Sequence, residues 1–103
     1  MRKFYFMANY EGVLARWIFD FPTGRHIPRR LAEIAMRLYG REIEIIRLNI
    51  CPFCGRTFMS KRALYMHLMR SPGISKSSER RLRCYEGFQY MLREIIEEWM
   101  KGR

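Results

Sequence analysis

The apolar positions of this chain change period along its length, and each change marks an element. Lys3 to Met7 is short and aromatic and reads as a strand. Asn9-Tyr10-Glu11-Gly12 reads as a turn or a helix start. From Val13 to Phe21 two patterns compete: Val13, Leu14, Trp17, Ile18 and Phe21 fit a helix face, whereas Val13, Ala15, Trp17, Phe19 and Phe21 fit a strand face. The helix is favoured because it keeps Arg16 and Asp20 together on the polar side, and Pro22-Thr23-Gly24 ends it. Pro28 suits the first turn of a second helix, in which Leu31, Ile34, Ala35 and Leu38 recur at helical spacing up to a capping Gly40. Arg41 to Ile50 alternates, with Ile43, Ile45, Leu48 and Ile50 facing inward, and predicts a strand running directly into Cys51. Residues 51–58 then suit a hairpin, and Ser60 can cap a helix reaching about Arg70. Ser71 to Ser78 is a loop rich in serine. Cys84 to Met100 is a long helix whose seam is Phe88, Leu92, Ile95 and Trp99, widened by Met91 and Ile96.

These elements predict an α+β fold in one compact domain. An N-terminal α/β unit (1–50) leads without a linker into a small module (51–70), a basic loop (71–83) and a C-terminal amphipathic helix (84–103). A chain of 103 residues builds a marginal core and often recruits a metal or a partner. Its 49% apolar content excludes wholesale disorder. No apolar run approaches a membrane span, and the N-terminus is too short for a secretory signal, so a soluble intracellular protein with no membrane partner is expected. Three cysteines, two of them closely paired, argue against a disulfide framework and for a reducing compartment.

Charge adds a partner. The net charge is +10, and residues 51–83 alone carry Arg56, Lys61, Arg62, Arg70, Lys76, Arg80, Arg81 and Arg83 against a single acid, Glu79. Such a patch predicts a polyanion. Arginine supplies most of it, and arginine grips phosphate in a bidentate fork.

The chemistry centres on Cys51-Pro52-Phe53-Cys54 and His67, spaced C-x2-C-x12-H, with Phe58 and Leu64 between them. Two thiolates on a tight turn and an imidazole two helical turns further on suit a tetrahedral Zn2+. C-x2-C-x3-F-x5-L-x2-H resembles the C2H2 zinc finger up to its first histidine. The family's second histidine is absent, and Ser71-Pro72-Gly73 stands where it would fall. The fourth ligand is then Cys84, His26, or water. Amide scarcity and ion-pair richness look like a thermophile's composition, and together with a lone finger in so small a chain this looks similar to small zinc-finger proteins of thermophilic archaea and their viruses.

The resemblance implies a ββα module, bound zinc, and a DNA-binding role such as transcriptional regulation. The family's base-reading positions fall here on Ser60, Arg62, Ala63 and Met66, of which three cannot make a bidentate base contact. The eight basic residues therefore suit phosphate contacts, which position without specifying. DNA is a better fit than RNA, and binding is expected to be salt-sensitive with weak sequence preference. A second reading is a zinc-stapled protein-interaction module, dimerising through the Phe88–Trp99 seam. A third is a thiol oxidoreductase, because Cys51-Pro52-Phe53-Cys54 resembles the glutaredoxin active site. Against this third reading, no helix is predicted to start at that turn to activate a thiol. No catalytic triad, carboxylate pair or phosphate-cradling glycine loop is visible, and a non-enzymatic role is expected.

Overall fold

The computed structural model describes residues 2–23, 26–72 and 79–102, with backbone alone for residues 2–8. Four helices account for most of them: α1 (Arg2–Asp20), α2 (Arg29–Arg47), α3 (Lys61–Met69) and α4 (Glu79–Lys101). Among the described residues there is no sheet, and the one β contact is an isolated antiparallel bridge between Ile50 and Thr57. The fold is all-helical. The α+β class, the N-terminal α/β unit and the ββα module that the sequence suggests are all overturned.

Three physical reasons account for the difference. Residues 3–7 and 9–12 are continuous with α1. Their aromatics disfavour a helix only slightly, and Gly12 costs about 1 kcal/mol in a helix interior. The buried set Leu14, Ala15, Ile18 and Phe19 has helical spacing, and this settles the ambiguous stretch from 13 to 21. Residues 41–47 are likewise helical: the helical backbone of α2 is interrupted at Tyr39 (φ −137°, ψ 28°), beside the Gly40 expected to end it, and resumes as far as Arg47 instead of giving way to a strand. The apolar positions of this stretch fit both periods, and burial selects the helical one. Ile43 and Ile46 are buried, whereas Leu48, which the strand pattern turned inward, is 68% exposed. Finally, the 49–58 turn is too short for a ladder. It holds Cys51 N–H to Arg56 O, Gly55 N–H to Cys51 O and Phe58 N–H to Asn49 O, and Pro52 has no N–H to extend the pairing.

The C-terminal helix organises the rest. α4 packs against α1, α2 and α3. Cys84, Phe88, Met91, Leu92, Ile95, Ile96 and Trp99 are all buried in the chain's own core. The helix starts at Glu79, so Arg80, Arg81 and Arg83 are helical and not part of a basic loop. Lys76 and the rest of 73–78 lie outside the described residues, as does Gly24. The α2 bend lies beside α4, where the Tyr39 hydroxyl hydrogen-bonds the Glu94 carboxylate. At the C-terminal end of α2, the Arg47 guanidinium lies 4.0 Å from the Phe21 ring centroid and 4.8 Å from that of Trp17, and its Nε donates to Ile18 O. No described helix is long and apolar enough to cross a membrane.

Candidate metal centre

Three segments converge on one point. The turn after α2 brings Cys51 and Cys54. Asn49 (φ 64°) and Gly55 (φ 77°) take the left-handed backbone that folds this turn back on itself. α3 brings His67 on its buried face beside Leu64 and Leu68. That helix starts where the sequence predicts, because the Ser60 hydroxyl accepts from Ala63 N–H at 3.1 Å. α4 brings Cys84.

One ligand atom from each of Cys51, Cys54, His67 and Cys84 can be chosen so that all four lie within 4.8 Å of one another. Cys54 Sγ and His67 Nε2 are 3.8 Å apart. Metal–ligand bonds of about 2.0–2.3 Å at tetrahedral angles set neighbouring donors about 3.3–3.8 Å apart, so the quartet could hold a metal ion after a small contraction. His26 is exposed and belongs to no such group among the described residues. All three cysteines are free thiols. Three thiolates and an imidazole are soft to borderline donors, which suit transition metals better than calcium or magnesium.

Support around the donors is also in place. The amides of Phe53 and Cys54 donate to the Cys51 sulfur, and the Arg56 amide donates to the Cys54 sulfur. Such bonds stabilise thiolates and fix their direction. In the metal-free protein, burial pushes the Cys84 thiol up to about 12, with the neighbouring Cys51 and Cys54 adding to the rise. Burial also raises Cys51. At Cys54 burial acts upward too, but the Arg56 amide, the two neighbouring thiols and the Arg56 charge outweigh it, and the thiol falls below its usual value. Burial and the charges of Arg81 and Arg56 keep the His67 imidazole neutral to lower pH, the form that binds metal.

The basic residues predicted to contact phosphate fall into separate groups. Arg56, Arg80 and Arg81 line a concavity together with Cys54 and His67, at the open edge of the centre. Lys61 and Arg62 line a groove between α1 and α3 with Arg16, Phe19, Asp20, Tyr65 and Met66. Arg70 caps α3 and is exposed, and Arg83 is exposed on α4. Arg16 belongs to this charged surface and was not singled out by sequence, because its i,i+4 partner Asp20 makes it look like an ordinary helix-surface pair. Also missed were Arg81 and Gln89 as caps: from α4 they donate to the Met66 and Leu68 carbonyls at the open end of α3. Neither has a sequence signature, since the contact depends on how two helices dock. No helix begins at the Cys51–Cys54 turn; the next one starts at Lys61.

The chain matches no protein-family model, and no curated protein or solved structure is significantly similar to it.

Proposed function

We propose that this is a zinc-stapled nucleic-acid-binding protein that holds duplex DNA through backbone phosphates with weak sequence readout. The observation that carries this reading is the approach of Cys51, Cys54, His67 and Cys84 to one another beneath a surface of arginines. The quartet is closed, with four protein donors, which suits a structural rather than a catalytic zinc. Zinc would fasten α4 to the turn and to α3, offsetting the small core of a short chain.

Weak readout follows from α3. Ser60 spends its hydroxyl on the helix cap, and Ala63 and Met66 offer no bidentate hydrogen bond. What remains around them is charge, and charge binds the backbone of any sequence. The test is fluorescence anisotropy with unrelated duplexes at several salt concentrations, on protein of measured zinc content. If about four phosphates are neutralised, affinity falls with a log–log salt slope near about −3.6 for every duplex. No binding at low salt would refute the DNA assignment, and strong preference for one duplex would refute weak readout. Protein purified without chelator and lacking stoichiometric zinc would refute the staple.

A further inference from the structure

We propose that Arg56, Arg80 and Arg81 form a phosphate seat at the open edge of the metal centre, and that the bound metal assembles it. The inference rests on the zinc reading of the quartet and assigns its neighbouring concavity a ligand.

The seat is built from two distant parts of the chain. Arg56 follows Cys54 by two residues on the turn, and Arg80 and Arg81 precede Cys84 by one turn of α4. Metal bonds to Cys54 and Cys84 tie those two segments together, so the spacing between the guanidiniums depends on the metal. The concavity they line has a volume of about 430 Å3. That is many times the ~30 Å3 share of one water molecule and ample for a phosphate group.

Charge pairing occupies several of the other cations. Among the described residues Lys61, Arg62, Arg70 and Arg83 are as unpaired as this cluster, and what sets the cluster apart is that its three guanidiniums line one concavity. Arg16, Arg29, Arg37, Arg93 and Lys101 each reach a carboxylate. Arg56, Arg80 and Arg81 make no ion pair among the described residues. Arg56 rests over the Phe58 ring, 5.5 Å from its centroid. Arg81 is anchored by its bond to Met66 O, and its shielded Nε has no acceptor among the described residues. The α1–α3 groove is less available: Asp20 and the Tyr65 ring engage Arg16, and Lys61 donates to Phe19 O. Zn2+ with three thiolates and a neutral imidazole carries one net negative charge. Three guanidiniums beside it outweigh that charge and leave a surplus for an oxyanion, and arginine's fork matches phosphate geometry.

Two measurements on the full chain test this. In the first, inorganic pyrophosphate is titrated into zinc-loaded protein and amide shifts are followed by NMR. The Gly55, Arg56, Arg80 and Arg81 signals should move saturably, lose that response when zinc is chelated, and regain it when zinc is restored. Shifts absent from the loaded protein would overturn the seat, whether or not DNA binds. Shifts that persist without metal would overturn its dependence on the metal. In the second, Arg56→Ala and Arg80→Ala, both exposed substitutions, should each reduce the DNA salt slope by about 0.9, one phosphate contact. Arg62→Ala with Arg70→Ala should change it less. The reverse order would place the phosphate anchor on α3 and overturn the seat while leaving DNA binding intact.

Discussion

The ring of Phe53 stands over Gly87: a Cβ at that glycine would lie 3.0 Å from the Phe53 Cδ1 and Cε1 atoms. Phe53 lies between the two cysteines of the turn, and Gly87 lies one helical turn after Cys84 on α4. The ring therefore fastens the turn to α4 beside the quartet, and a glycine in mid-helix becomes intelligible as the space it needs.

This contact predicts a coupled pair. Gly87→Ala alone gains helix propensity of about 1 kcal/mol but presses on the ring, so its net effect on stability should be small. In a Phe53→Ala background the same substitution should stabilise by nearly the full amount. Thermal denaturation of the four proteins in the cycle gives the coupling energy, expected at about 0.5–1 kcal/mol. Additive effects would mean the ring does not depend on the glycine.

Arg47 joins the ends of α1 and α2 by lying over Phe21 and Trp17 while bonding Ile18 O. Arg47→Ala should cost about 1–3 kcal/mol in chemical denaturation. Arg47→Lys should recover less than half, since an ammonium keeps the cation–π attraction but loses the planar stacking and the Nε bond. Full recovery by lysine would show that charge alone matters there.

Glu11 supplies a pH signature remote from the metal. Burial raises its carboxyl above the ordinary 4.5; Arg93 opposes the rise and Glu97 adds to it. A raised folded value means that the protonated form is favoured by folding. Its stabilising contribution is present below pH 4.5 and is lost as pH rises through the folded value. Glu11→Gln mimics that form, so it should raise the melting temperature at pH 7 by about 1–3 °C, discounted for partial solvent screening. The gain should disappear in melts below about pH 4. A loss at pH 7 would mean that the ion pair with Arg93 outweighs the burial.

Much of the candidate site could be read in the chain before its fold. C-x2-C-x12-H fixed three of the four clustered residues by local spacing, and Ser60 marked the start of α3 by its capping chemistry. Cys84 was one of three alternatives, because sixteen residues and a helix junction separate it from His67 and no local rule spans that distance. The fold was less legible. The apolar positions from Ile43 to Ile50 fit both periods, and only burial among the assembled helices chose Ile43 and Ile46 for the core. The aromatic run at 3–7 carried a strand preference that continuity with α1 overrode. The long seam of α4 was clear, because four apolar residues at strict helical spacing admit no strand reading.

The choice among fourth ligands is open to direct test. Cys84→Ser should weaken zinc retention against a chelating dye by more than roughly a hundredfold, beyond the 10- to 100-fold typical of losing a supporting contact. His26→Ala should leave it unchanged. The opposite pattern would move the fourth donor to the α1–α2 connection.

X-ray absorption at the zinc edge of the purified protein examines the whole quartet at once. One zinc per chain is expected, with three sulfurs at about 2.3 Å and one nitrogen at about 2.0–2.1 Å. A shell of two sulfurs with two lighter atoms, or no stoichiometric zinc, would contradict it.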